Sequence, residues 1–186
     1  MASSAQPDDD RAEGVPPREA IRHPLPNRFR PETYIPAPIT LVNGYLVWGG
    51  SRIYRERFGI GINEWRVLGA LSNSPGATAA TTGRTVGMNK AILSRSIAVL
   101  LEKGLIVREA DRRPHRLYLT QAGVEMFDKI MPVAAERERV LLGGLDDDEI
   151  ATLRRLLTHL VNRGEALREF DAGMLSGDDV DMSTSE

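Results

Sequence analysis

Four polar residues, Asn89, Lys90, Ser94 and Arg95, stand one, five and six positions apart in a stretch whose apolar residues are Leu93, Ile97, Leu100 and Leu101. On a helix that spacing turns the four away from the apolar side and puts them on the N-terminal half, where side chains reach base edges and phosphates in a major groove. A guanidinium at Arg95 can fork onto a guanine or a phosphate, whereas an ammonium at Lys90 suits a phosphate as a point charge. Sixteen residues beyond Arg95 the chain reads Asp111-Arg112-Arg113. Arginine gains from the negative potential of a narrow minor groove, so Arg112 or Arg113 is the residue to insert there, with Asp111 orienting it.

The net charge of −2 hides this chemistry because it sums segments of opposite sign. From Gly83 to Tyr118 there are eight basic residues (Arg84, Lys90, Arg95, Lys103, Arg108, Arg112, Arg113, Arg116) against three acids (Glu102, Glu109, Asp111). The compensating acids lie elsewhere, in Asp146 to Glu149 and in a segment from Asp171 to Glu186 that holds no Lys or Arg. A local positive field on a neutral or negative background steers a polyanion to one face.

Positioning such residues needs two short helices and a tight turn. Thr78 to Val86 reads as the first of them, Gly87 as the turn, and Asn89 as the cap of a helix that Gly104 closes near Lys103. Gly83 supplies the small residue where the two helices meet, and Val86, Met88, Leu93 and Ile97 supply the core between them. Thr81, Thr82 and Gly83 are poor helix formers, so the first of the pair is expected to be weak. Strand-like runs at Leu105 to Glu109 and Arg116 to Thr120 flank an arginine-rich connection and predict a hairpin with a short tip.

Before this unit, apolar residues at Ile39, Val42, Leu46, Ile53, Tyr54 and Phe58 predict a first helix ended by Gly59 and Gly61. Asn63 reads as the cap of a second, carrying Trp65, Leu68 and Leu71 and closed by Ser74-Pro75-Gly76. After the hairpin, Gln121 to Leu142 predicts a long helix kinked at Pro132. Asp146 then caps a strongly amphipathic helix to about Phe170. Residues 1–38 read as an extended arm and 171–186 as an acidic disordered tail, leaving residues 39–170 for the fold. The fold class expected is mainly α with a small β-hairpin.

Other function classes find little footing. At 186 residues and 41% hydrophobic the chain has a core but no apolar run of the roughly 18 residues that a membrane span needs. No secretory leader is legible, so the cytoplasm is the expected compartment. Zero cysteines remove thiol nucleophiles, thiolate sensing and Cys-based zinc sites. His23, His115 and His159 fall in three distant segments without metal-ligand spacing, and neither Gly-x-Ser-x-Gly nor a phosphate loop occurs, so catalysis, a metal site and a cofactor are not expected.

Asn63-Glu64-Trp65-Arg66-Val67-Leu68, Ser94-Arg95, Leu100 with Glu102-Lys103-Gly104-Leu105-Ile106, Asp111-Arg112-Arg113 and Leu119-Thr120-Gln121-Ala122-Gly123 together resemble the MarR family of bacterial regulators. The likeness spans about residues 39–170. It implies a winged helix-turn-helix over about 62–120, with dimerisation helices at about 39–58 and 121–170. It further implies an obligate homodimer on a near-palindromic double-stranded operator, acting as a repressor released by a small aromatic acid or thioester. Trp48, Arg52 and Trp65 are the residues expected to line the effector crevice, an arginine pairing a carboxylate and indoles packing a ring. Two other readings stay open: a metal-responsive regulator, and a winged helix used only for protein association.

Overall fold

The computed structural model describes residues 21–109 and 113–176. By contact density the chain divides into two compact units, Met1–Val47 and Trp48–Glu186. In the first, residues 21–35 are turns and irregular chain in which Phe29 and Tyr34 meet edge to face, and helix α1 runs Pro36–Gly44 with proline in its first turn. A π-helical turn, Tyr45–Gly49, spans the boundary between the units.

The second unit opens with α2 (Gly50–Phe58), which Gly59 ends in the left-handed conformation (φ 69°). Helix α3 (Ile62–Asn73) starts on Gly61, not on Asn63: the Glu64 carboxylate accepts the Gly61 N–H at 2.8 Å, so the third helical residue supplies the cap that the sequence assigns to Asn63. Val67, Leu68 and Leu71 of α3 are fully buried and form the centre of the core. Around them pack α4 (Ala79–Val86), α5 (Lys90–Glu102) and α6 (Gln121–Leu141), with Leu93, Ile97, Leu100 and Ile130 turned inward.

Strands β1 (Ile106–Arg108) and β2 (Leu117–Leu119) pair antiparallel in the register Ile106 with Leu119 and Arg108 with Leu117. A bridge between Thr78 and Arg116 adds the segment before α4 to the outer edge of this hairpin, so the hairpin and α4 are held together by backbone. Thr120 joins hairpin to α6: its hydroxyl accepts the Gly123 N–H (3.0 Å) and donates to the Gly104 carbonyl (2.7 Å).

Helix α6 runs through Pro132 without interruption, then Gly144 (φ 95°) turns the chain into α7 (Asp147–Asn162), capped by Asp146 and Glu149 in a reciprocal pair. The single last helix read from the sequence is two, because α7 stops at Arg163 and α8 continues over Gly164–Ser176, past the point at which the sequence suggests disorder. Neither α7 nor α8 buries a residue. Leu153, Leu156, Leu157, Leu160, Leu167 and Phe170 all stand exposed.

Candidate nucleic-acid interface

Two caps and one glycine fix the turn between α4 and α5. The Thr78 hydroxyl accepts the Thr81 N–H and starts α4. Gly87 ends it at φ 61°, a conformation that costs a residue with a Cβ, and the Met88 N–H returns to the Gly83 carbonyl at 3.1 Å. Asn89 then caps α5 by accepting the Ile92 N–H at 2.9 Å. A Cβ on Gly83 would stand 2.8 Å from Leu93 Cδ2, so the small residue read from the sequence is where the helices touch. Thr82 is buried with no partner for its hydroxyl among the described residues.

With Leu93, Ser96, Ile97 and Leu100 buried, the N-terminal half of α5 presents Lys90, Ser94 and Arg95 to solvent. Lys90 and Ser94 line an open groove of about 1070 Å³ over α4 and α5, whereas Arg95 lines a separate cleft of about 340 Å³ beside Arg55 and Asn63 at the start of α3. Ala98 lines the groove with Lys90 and Ser94, and Ala91 is exposed between the groove and the cleft. Asn89 is exposed too, but its carbonyl oxygen is committed to the cap, which leaves its amide N–H groups for other partners. Of the residues read at the hairpin tip, Arg113 is exposed beside Pro114, and Asp111 and Arg112 lie outside the described residues. His115 Nδ1 sits 3.2 Å from the Glu109 carbonyl, and Arg116 donates to the Gly76 carbonyl at 3.0 Å, so both hold the base of the hairpin.

Two supports have no role in the sequence reading, although both residues lie inside its Asn63 to Leu68 motif. Glu64 Oε1 accepts the hydroxyl of buried Ser96 at 2.7 Å while its other oxygen caps α3, so a single carboxylate links the start of α3 to the middle of α5. Arg66 donates to the carbonyl of Val86, the last residue of α4, and burial pulls its guanidinium below the ordinary arginine value. A cation at a helix C-terminus meets the negative end of the dipole as well as an orphan carbonyl. Their signal in the sequence is weak, since a Glu three residues into a helix and an Arg between apolar neighbours both pass for surface residues.

Of the three residues assigned to an effector crevice, Trp48 and Arg52 stand one helical turn apart and both are exposed. Trp48 is 80% exposed, and Arg52 is exposed and paired with Glu56 one turn on (3.0 Å). Trp65 is half-buried, stacked on Phe127 (6.2 Å, 13°) and edge-on to Tyr54 (5.6 Å, 68°), over which the Arg137 guanidinium sits at 5.8 Å. The Trp65 indole N–H is buried without a partner among the described residues. No group of three His, Asp or Glu side chains placed to hold a metal ion occurs among the described residues, and no helix there is long and apolar enough to cross a membrane.

Residues 58–117, from the end of α2 through the hairpin, match the MarR family. Over that segment the chain is similar to the MarR family, and it shares that family's winged-helix fold. A MarR/EmrR family transcriptional regulator from Acinetobacter sp. ADP1 is similar in structure, with a TM-score of 0.69 and 29% identity over 74% of this chain and 99% of that one. A MarR-family regulator from Silicibacter pomeroyi gives a TM-score of 0.62 at 28% identity, over 72% and 92% of the two chains. In sequence, a putative transcriptional regulatory protein for the hcr operon of Thauera aromatica is 29% identical over 97 residues, half of this chain and 58% of the relative's own length. The MarR fold is also shared with S. aureus MepR, solved with DNA, at 19% identity and a TM-score of 0.60.

Proposed function

We propose that this MarR-type chain is a sequence-specific DNA-binding transcriptional regulator that works as a homodimer. The observation that carries the reading is α5, fixed at both ends and by Glu64, with Lys90, Ser94 and Arg95 exposed on its N-terminal half beside a hairpin that presents Arg113. A helix of that kind enters a major groove, and an arginine at the tip of the hairpin reaches phosphate or minor groove alongside it. Two copies related by a two-fold axis set their α5 helices on successive turns of a near-palindromic duplex, about 34 Å apart. The exposed leucines of α7 supply the surface for the second copy.

The test is fluorescence anisotropy with duplex DNA from upstream of the protein's own coding sequence. Arg95→Ala is expected to cost about 1–3 kcal/mol of specific binding and to relax the preference at one base position. Arg112→Ala and Arg113→Ala are expected to weaken all sequences alike and to lower the salt slope by about one each. Unchanged binding in all three variants sinks the assignment.

The same proposal includes a repressor whose DNA-bound form is disfavoured by a small aromatic acid or thioester. Support within one chain rests on Trp65, which combines an aromatic cluster, an unpartnered indole N–H and a nearby guanidinium. Trp48 and Arg52, exposed one turn apart, complete the site in this reading. Release of operator by an aromatic acid from wild-type protein, lost in Arg52→Ala with affinity for DNA intact, is the expected outcome; release that persists in Arg52→Ala removes that residue from the site.

A further inference from the structure

We propose that the acidic segment 177–186 of this chain docks in the basic groove over α4 and α5 and competes there with DNA. The inference rests on the DNA-facing role of Lys90 and Ser94. The groove is walled by Arg84, Lys90 and Arg108, none of which has an ion-pair partner among the described residues, and its floor includes Met88, Leu93 and Leu101. Helix α8 forms its far side: Glu165 and Arg168 line the groove, and because these two pair with each other they leave the three cations opposite uncompensated. The groove therefore combines a positive wall with an apolar floor.

Residues 177–186 read Gly-Asp-Asp-Val-Asp-Met-Ser-Thr-Ser-Glu, with four acids and no Lys or Arg. Asp179, Val180, Asp181 and Met182 alternate acid with apolar, so an extended backbone turns Val180 and Met182 to one side and the carboxylates to the other. That alternation matches an apolar floor beneath a basic wall. Reach is sufficient. From Arg168 to Ser176, where α8 ends, is about 12 Å of helix, and ten residues beyond it span up to about 33 Å, enough to double back along the groove. Carboxylates seated there occupy the cations that phosphates need, so docking lowers operator affinity most at low salt and favours a strongly binding duplex over nonspecific DNA.

The test uses the full chain. In one arm Asp178, Asp179 and Asp181 are changed to Asn and Glu186 to Gln, and operator affinity is read by anisotropy at two salt concentrations. Binding about tenfold tighter than wild type at roughly 50 mM salt, with the gap closing to less than about threefold near 200 mM, is expected. In the second arm Ser183→Cys carries a nitroxide, the sole thiol in a chain without cysteine, and backbone amides of Thr82 to Ser94 are expected to broaden in the free protein and recover when operator is added. Tighter binding without broadening means that the tail acts only through long-range charge, and broadening without a change in affinity means that it does not compete; either overturns the proposal. Broadening in the spin-labelled Ser183→Cys chain, when the chain with its wild-type tail binds no duplex at all, is the failure of the DNA reading, and it leaves docking standing.

Discussion

Glu64 ties the start of α3 to the middle of α5, the helix that carries the proposed DNA contacts. Its carboxylate holds the N–H of Gly61 and the hydroxyl of Ser96, and Ser96 is buried in the middle of α5. Removing it leaves two donors unpaired, one of them in the core, at roughly 1–3 kcal/mol for each group that water cannot reach. Glu64→Ala is therefore expected to lower unfolding stability by about 2–4 kcal/mol in urea melts, and to weaken operator binding although the residue touches no DNA. Glu64→Gln keeps an acceptor oxygen for one of the two donors and should recover part of both losses. A melt for Glu64→Ala within about 0.5 kcal/mol of wild type shows that the link between α3 and α5 contributes little.

At the scale of elements, the tightest junction is where the hairpin enters α6. A Cβ on Gly123 would lie 2.0 Å from the backbone carbonyl oxygen of Leu105, and backbone cannot step aside as a side-chain tip can. Gly123→Ala must push α6 off the hairpin or break the Thr120 cap, and a loss of about 2–4 kcal/mol is expected, measured as a fall in the denaturant midpoint. Gly83→Ala meets only the movable end of Leu93 and should cost less. These two glycines show what the sequence makes legible. Motifs built on backbone constraint, such as Thr120 to Gly123, the left-handed Gly87 and the Asn89 cap, can be read because few residue types satisfy them. The start of α3 at Gly61 and the break at Arg163 are harder to see, since the first depends on which side chain reaches back to an N–H and the second on no residue with a strong preference. The candidate site divides the same way: polar residues on α5 follow from periodicity, but the packing of Trp65 between Tyr54 and Phe127 joins three elements and no local pattern encodes it.

For the whole molecule the deciding quantity is apolar surface with nothing on it. Leu153, Leu156, Leu157 and Leu160 lie on α7, a helix with a pronounced apolar stripe and no buried residue, each 36–47% exposed. Recovering that area at roughly 25 cal/mol per Å² requires a partner surface of the same character, and a closed two-fold pair offers the same stripe from the second copy. One lobe presents one α5, and a single helix in a single groove makes about half of the phosphate contacts of a pair. Leu156→Arg with Leu160→Arg places two charges on the stripe without touching the lobe, so the melting of the α3–α5 core should change little in the variant. Sedimentation should show the pair replaced by single chains at micromolar concentration, and operator affinity should fall by at least about a hundredfold, since a linked second site acts at an effective concentration that two separate chains cannot match. A variant that sediments as single chains yet binds operator like the parent would mean that one lobe suffices, and the two-fold arrangement on DNA would have to be given up.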